Sequence, residues 1–299
     1  MLSAIVAVTL VVPDVDAAAK AYADRLEYRT VERGEVATQI AGSWGSPQVA
    51  GREYVLMQPA SGEKVYLRFV ESPEQPKTQP LKHLGWNATE LLVEDPVQLE
   101  PKLVNSEFRV IGPPRPLSMN PAVVAMQALG PANELLYFTR IPPGKSKFAL
   151  GSATSFVDRV FIVVLGTDDI RASLDYYART LRMPVTEPAP AGIDILREAW
   201  ALPKDRQFPL AIVRLPERFL IEVDEYPAGA TRRPAPKGEL PAGMAIVSFE
   251  VESLEPFLAQ LARPPVSSNV APYSGRRSGM IVGSTGELIE LIEQSKGTQ

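Results

Sequence analysis

The chain has no cysteine, which excludes disulfides, thiolate nucleophiles, zinc ribbons and iron–sulfur clusters and fits a reducing, cytoplasmic setting. It has one histidine, His83, so no metal site can rest on two histidines, and any serine–histidine–carboxylate mechanism would have to run through that residue. No uncharged apolar run reaches the roughly 18 residues of a membrane helix. Residues 1–12 are apolar but lack a basic leader and a small-residue cleavage site, and they run straight into Pro13 and Asp14, so they read as a buried strand. An excess of positive charge is also missing: 31 basic against 35 acidic residues leave a net charge of −4, without the electrostatic footprint of a nucleic-acid binder. No phosphate loop or glycine-rich dinucleotide fingerprint lies between a strand and a helix, so nucleotide cofactors have no support.

What the chain does have is enough apolar sequence, 45% of 299 residues, to bury cores, and 29 prolines, which favour rigid connections over long helices. It also carries an internal repeat. A strand-like start leads into Asp14, with Ala18 and Tyr22 four and eight residues on; later a similar start leads into Asp169, with Ser173 and Tyr177 at the same offsets. Trp44 follows Asp14 by 30 residues and Trp200 follows Asp169 by 31, each with a proline three residues further on. Because both halves keep the tryptophan, packing of a short helix on a sheet explains it better than a ligand lid does. A weaker echo within each half relates residues 86–95 and 125–138 to residues 244–253 and 279–291. Leu174, Tyr177, Ala178 and Leu181 fall on one helical face, as expected of a helix that covers a sheet. Glycine-containing turns at 60–62 and 283–286 join β-rich runs into antiparallel hairpins. The unit strand, helix, strands therefore recurs four times.

This pattern resembles the vicinal oxygen chelate family, which includes glyoxalase I, extradiol dioxygenases and bleomycin-resistance proteins. The resemblance rests on Asp169, Ser173, Tyr176 and Tyr177 in the third unit and on Gly286-Glu287-Leu288-Ile289-Glu290-Leu291 in the fourth. It implies an α+β fold of four tandem βαβββ modules in two duplicated half-barrel domains, each with a cavity. The first domain would be residues 1–143, with modules at about 1–75 and 82–143; a linker spans 144–154; the second would be 155–299, with modules at about 155–227 and 240–296. Metal-dependent relatives take ligands from the first and last strands of their modules. The corresponding first-strand positions here are Ala7, Ala88, Ile162 and Ile246, and the last-strand positions are Leu67, Tyr137, Glu222 and Glu290. No nitrogen ligand remains, and two carboxylates make a poor site for Fe(II) or Zn²⁺, though carboxylates alone can hold Mg²⁺, Ca²⁺ or Mn²⁺; no cofactor is expected.

The expected chemistry is proton transfer. Glu90, Tyr137 and Glu290 are the candidate catalytic residues: a carboxylate on an apolar strand face becomes a general base when desolvated, and a tyrosine hydroxyl can polarise an oxygen. Trp86, Asn87, Gln127 and Glu222 are candidate ligand contacts, Trp86 because strand alternation puts it on the face of Ala88 and Glu90. The plainer alternatives are ion pairs, Glu290 with Arg276 or Arg277 and Glu90 with Arg115 or Lys102, and a solvated strand for Glu222 and Asp224. His83 and the pair Arg232-Arg233 read as loop residues. Two functions follow: a metal-independent lyase, isomerase or decarboxylase acting on a small aromatic or carbonyl-bearing molecule, or a protein that sequesters such a molecule without turnover, as bleomycin-resistance proteins do. Extradiol dioxygenase activity is not expected. The expected partners are a small-molecule ligand and, since modules of this family pair within or between chains, a second copy of the chain, with no nucleic acid and no membrane.

Overall fold

The computed structural model describes residues 1–74, 78–118, 120–216 and 218–295; positions 75 and 296, given above as ends of the first and fourth modules, lie outside them. Each module opens on a long apolar strand: Leu2–Val12, His83–Val93, Val157–Thr167 and Gly243–Val251. In the first three modules that strand ends at an aspartate that caps a helix. Asp14, Asp95 and Asp169 accept from the backbone N–H groups of Ala17, Val97 and Ala172 at 2.8, 2.9 and 3.0 Å, starting helices Val15–Leu26, Pro96–Leu103 and Ile170–Arg179. The fourth module has Ser253 at that point, and its helix shrinks to a 3₁₀ turn, Glu255–Phe257. Three further strands complete each module.

The modules pair across the chain, not along it. One sheet of eight strands joins module one to module four through antiparallel pairing of Leu2–Val12 with Gly243–Val251. A second sheet, of nine strands, joins module two to module three through His83–Val93 and Val157–Thr167. The expected pairing of one with two and three with four is thus replaced by one with four and two with three. Each sheet curls into a half-barrel with a concave cup.

The main core lies between the two sheets and their helices and includes Leu2, Tyr22, Phe69, Trp86, Phe138, Val163 and Phe249, all buried. Smaller apolar clusters lie within the cups. Two equivalent hydrogen bonds cross between the paired units: Tyr22 donates to Glu134 Oε1 at 2.7 Å and Tyr177 to Glu287 Oε1 at 3.2 Å. Among the described residues no helix is long and apolar enough to cross a membrane.

Candidate functional site

The cup of modules two and three holds a cavity of about 730 Å³, within the size range of small-molecule sites. Phe161, Ile162, Leu220 and Ile212 of module three, Ile111 and Val123 of module two, and Phe148 and Leu150 from the connecting segment form its apolar wall. Its polar lining includes Glu90, Gln127, Tyr137, Thr139 and Glu222 on the strands and, more exposed, Arg115, Lys147, Glu187, Asp194 and Glu198. Glu90 and Tyr137 stand opposite each other on adjacent parallel strands, which places their side chains next to one another on one face. Thr139 donates to Glu90 Oε1 at 2.5 Å. Gln127 crosses over Gly112 of the neighbouring strand, where a Cβ would meet Gln127 Oε1 at 2.1 Å and push the amide aside.

Burial dominates the electrostatics. It pushes the Glu90 carboxyl, 7% exposed, up to about 7 against the opposing hydrogen bond from Thr139. Asp224 follows Glu222 by two residues and shares its strand face; burial, reinforced by the charge of Glu90, pushes it up to about 8. Burial, with Asp224 and Glu90 nearby, moves Glu222 well above the carboxylate range. Among the described residues no lysine or arginine pairs with any of the three carboxyls, and Asp224 Oδ1 is buried without a hydrogen-bond partner. Burial raises the Tyr137 phenol well above its ordinary value, with Tyr226, Asp224, Glu222 and Glu90 adding to the effect, so it remains a hydrogen-bond donor at neutral pH.

The cup of modules one and four is filled instead. Arg68 Nη2 lies 3.1 Å from Glu290 Oε2, with both side chains at most 3% exposed. Arg68 also donates to Thr9 Oγ1 at 2.9 Å and to the Tyr273 hydroxyl at 2.7 Å. Trp44 Nε1 and the Tyr273 hydroxyl each donate to Glu290 Oε1 at 2.8 Å, Ser248 donates to Oε2, and the Arg68 guanidinium stacks 4.5 Å from the Trp44 ring centre. Register explains the meeting: Thr9 faces Arg68, Glu90 faces Tyr137, Val164 faces Glu222 and Ser248 faces Glu290 on the paired first and last strands. The last-strand position of module one is therefore Arg68, one residue beyond the Leu67 read from sequence.

The structure thus brings Glu90, Tyr137, Gln127 and Glu222 to one cavity and places Glu290 in the other cup. Trp86 and Asn87 lie elsewhere. The register shifts between Trp86 and Ala88, so alternation reverses and Trp86 turns into the intersheet core, where it packs on Phe249 and donates to the Leu288 carbonyl at 2.8 Å. Asn87 donates to the carbonyls of His83 and Gly85 at 2.7 and 2.8 Å, which holds the irregularity at Gly85, whose φ is +93°. The alternative ion pairs are also placed differently: Arg276 pairs with Glu250, Arg277 with Glu255 and Glu293, Arg115 with Asp194 and Lys102 with Glu27. Asp224, at 1% exposure, is no solvated residue, and Arg233 is engaged with the carbonyls of Trp86, Ala242 and Met244. Sequence reading missed Thr139, Phe148 and Leu150. Thr139 follows Tyr137 by two residues and was accessible to the alternation rule, whereas the other two sit in a segment read only as a linker.

The positions at which the resembled family holds a metal do not suit one here. Around this cavity they offer Ala88, Ile162, Tyr137 and Glu222, and among the described residues no three histidine, cysteine, aspartate or glutamate side chains converge to hold an ion. The sequence matches no family model and no curated protein. Solved structures do match. Glyoxalase I from Zea mays superposes with a TM-score of 0.63 over 97% of this chain and 92% of its own, at 13% identity. A point variant of that enzyme gives 0.64 over 97% and 93%, at 12% identity. A proposed dioxygenase from Bacillus subtilis gives 0.60 over 99% and 86%, at 11% identity.

Proposed function

We propose that this chain, which has the fold of the vicinal oxygen chelate proteins, acts on a small aromatic or carbonyl-bearing molecule in the cavity of modules two and three by proton transfer at Glu90. The observation that carries this reading is the pairing of Glu90 with Tyr137 inside an apolar cavity. A carboxyl at about 7 is half ionised at neutral pH, so it can both take and return a proton. The Glu90 carboxylate removes a proton from the carbon next to a carbonyl; the Tyr137 hydroxyl donates a hydrogen bond to the developing enolate oxygen; return of the proton at another carbon restores Glu90 and gives an isomer. No step passes through a metal. Glu290, enclosed by Arg68, Trp44, Tyr273 and Ser248, is assigned to holding the other cup together.

Deuterium wash-in next to the carbonyl of acetophenone or phenylacetone in D₂O, followed by proton NMR, tests the reading. The native chain accelerates exchange, with a rate that rises with pH through about 7. Glu90→Gln lowers the rate by roughly 10²-fold or more while ligand-induced thermal stabilisation persists. If both carbonyl compounds stabilise the fold but Glu90→Gln exchanges as fast as the native chain, turnover is excluded and sequestration remains.

A further inference from the structure

Deep in the cavity, negative charge has no cationic counterpart. Glu90 from strand His83–Val93 and Glu222 from strand Leu220–Glu225 line it, and Asp224 lies on the same strand face as Glu222. Tyr137 and Tyr226 face this cluster as neutral phenols. The nearby cations are turned elsewhere: Arg115, at the mouth, pairs with Asp194 at 3.7 Å; Lys147, exposed at the cavity lining, sets its Nζ 5.1 Å from the Phe148 ring centre; and Arg233, which faces Tyr226, donates to three backbone carbonyls. A buried carboxyl normally finds a partner, because an unmatched one forfeits its hydration. Asp224 Oδ1 has none, although the residue is 1% exposed.

We propose that the ligand carries a protonated nitrogen, an ammonium or amidinium on an apolar body, seated on Glu222 with Asp224 behind it. This rests on the reading above that the cavity is the functional site, and it divides the labour within it: the pair on strand Leu220–Glu225 anchors the cation, which leaves Glu90 and Tyr137 to face the reacting carbons. The apolar wall of Phe161, Ile162 and Leu220 takes the body of the molecule. Without ligand, protons satisfy the cluster; a cation that binds displaces them. Affinity for the cation therefore rises with pH while Glu90, Glu222 and Asp224 lose their protons, and the tyrosines stay neutral throughout.

Calorimetric titration of the full chain with benzylamine, and with benzyl alcohol as its neutral counterpart, tests this at about pH 6 and about pH 8.5, which bracket Glu90 and Asp224. The expected result at the higher pH is at least tenfold tighter binding of the amine, with proton release visible as a binding enthalpy that depends on the buffer. Amine affinity should drop at the lower pH. Glu222→Gln and Asp224→Asn should each reduce the preference at least fivefold and leave alcohol binding in place; a cooperative melting transition at or above the native temperature shows that each variant is folded. Equal or tighter binding of the alcohol overturns the cationic assignment and leaves the cavity reading standing. If neither compound binds, the cavity reading falls and the assignment falls with it.

Discussion

Glu222 and Glu290 occupy the same position on the last strands of modules three and four, and their neighbours decide what each can do. Glu290 meets Arg68 and three hydrogen-bond donors, so its charge is matched and its cup is closed. Glu222 meets Glu90, Asp224 and Tyr137, none of which neutralises it. The difference has a thermodynamic consequence. A carboxyl whose folded pKa exceeds its unfolded value binds more protons in the folded state; its contribution is fully present below about pH 4 and is lost as pH rises through the folded pKa. Glu90 and Asp224 therefore destabilise the ligand-free fold progressively up to about pH 7 and about pH 8. Burial also pushes Glu134, at the unit interface, up to about 7, and it adds a slope of the same sign. The melting temperature of the ligand-free protein is expected to fall between about pH 5 and pH 8. Glu90→Gln and Asp224→Asn should flatten that fall and melt higher than the native chain at pH 8, by an amount on the order of 1–3 kcal/mol. Parallel curves for native and variant proteins would show that these carboxyls ionise freely.

At the scale of elements, much was legible in the sequence because local chemistry repeats there. The aspartates ending three first strands are N-caps, and the helical face of Leu174, Tyr177 and Leu181 packs on its sheet. Two errors have different causes. Alternation presumes a regular strand, and the shift between Trp86 and Ala88 turns Trp86 from the cavity to the core; strand Tyr66–Glu71 is regular, and there the matched position was one residue short, at Leu67 instead of Arg68. No composition rule flags either. The tyrosines of the repeat were legible as residues but not in their role. Tyr22 and Tyr177 each reach out of their own unit to a buried glutamate in a turn of the other, Glu134 and Glu287, whose carboxyls also accept from backbone N–H groups of Ala132 and Thr285. Tyr22→Phe and Tyr177→Phe should each cost about 1–3 kcal/mol in urea denaturation, and the double variant should approach the sum because the two bonds share no partner. Benzylamine binding should stay as in the native chain. Native stability in both single variants would mean that these bonds do not hold the units together.

At the scale of the molecule, four similar modules can pair in three ways, and their first strands are too alike in apolar pattern to choose among them. The modules were therefore readable from the repeat, while their partners were not. The last-strand residues that meet across each cup supply a physical reason for the observed choice. Pairing one with four brings Arg68 to Glu290, and pairing two with three brings Tyr137 to the cup of Glu222. Pairing along the chain would instead set Arg68 opposite Tyr137 and bury Glu222 with Glu290, two carboxyls without a cation, at a cost of several kcal/mol. The cavity consequently draws Glu90 and Tyr137 from one half of the chain and Phe161 and Glu222 from the other. Residues 1–143 and 144–299 produced as separate polypeptides should then each lack a complete cup, exposing the unpaired edges of Leu2–Val12 and His83–Val93 in one and of Val157–Thr167 and Gly243–Val251 in the other. Alone, each should self-associate or melt without a cooperative transition. Mixed, they should form an equimolar complex that melts cooperatively and regains benzylamine binding. A monomeric, cooperatively folded 1–143 fragment would mean that modules one and two pair stably with each other, and the cross-chain pairing would lose its energetic explanation.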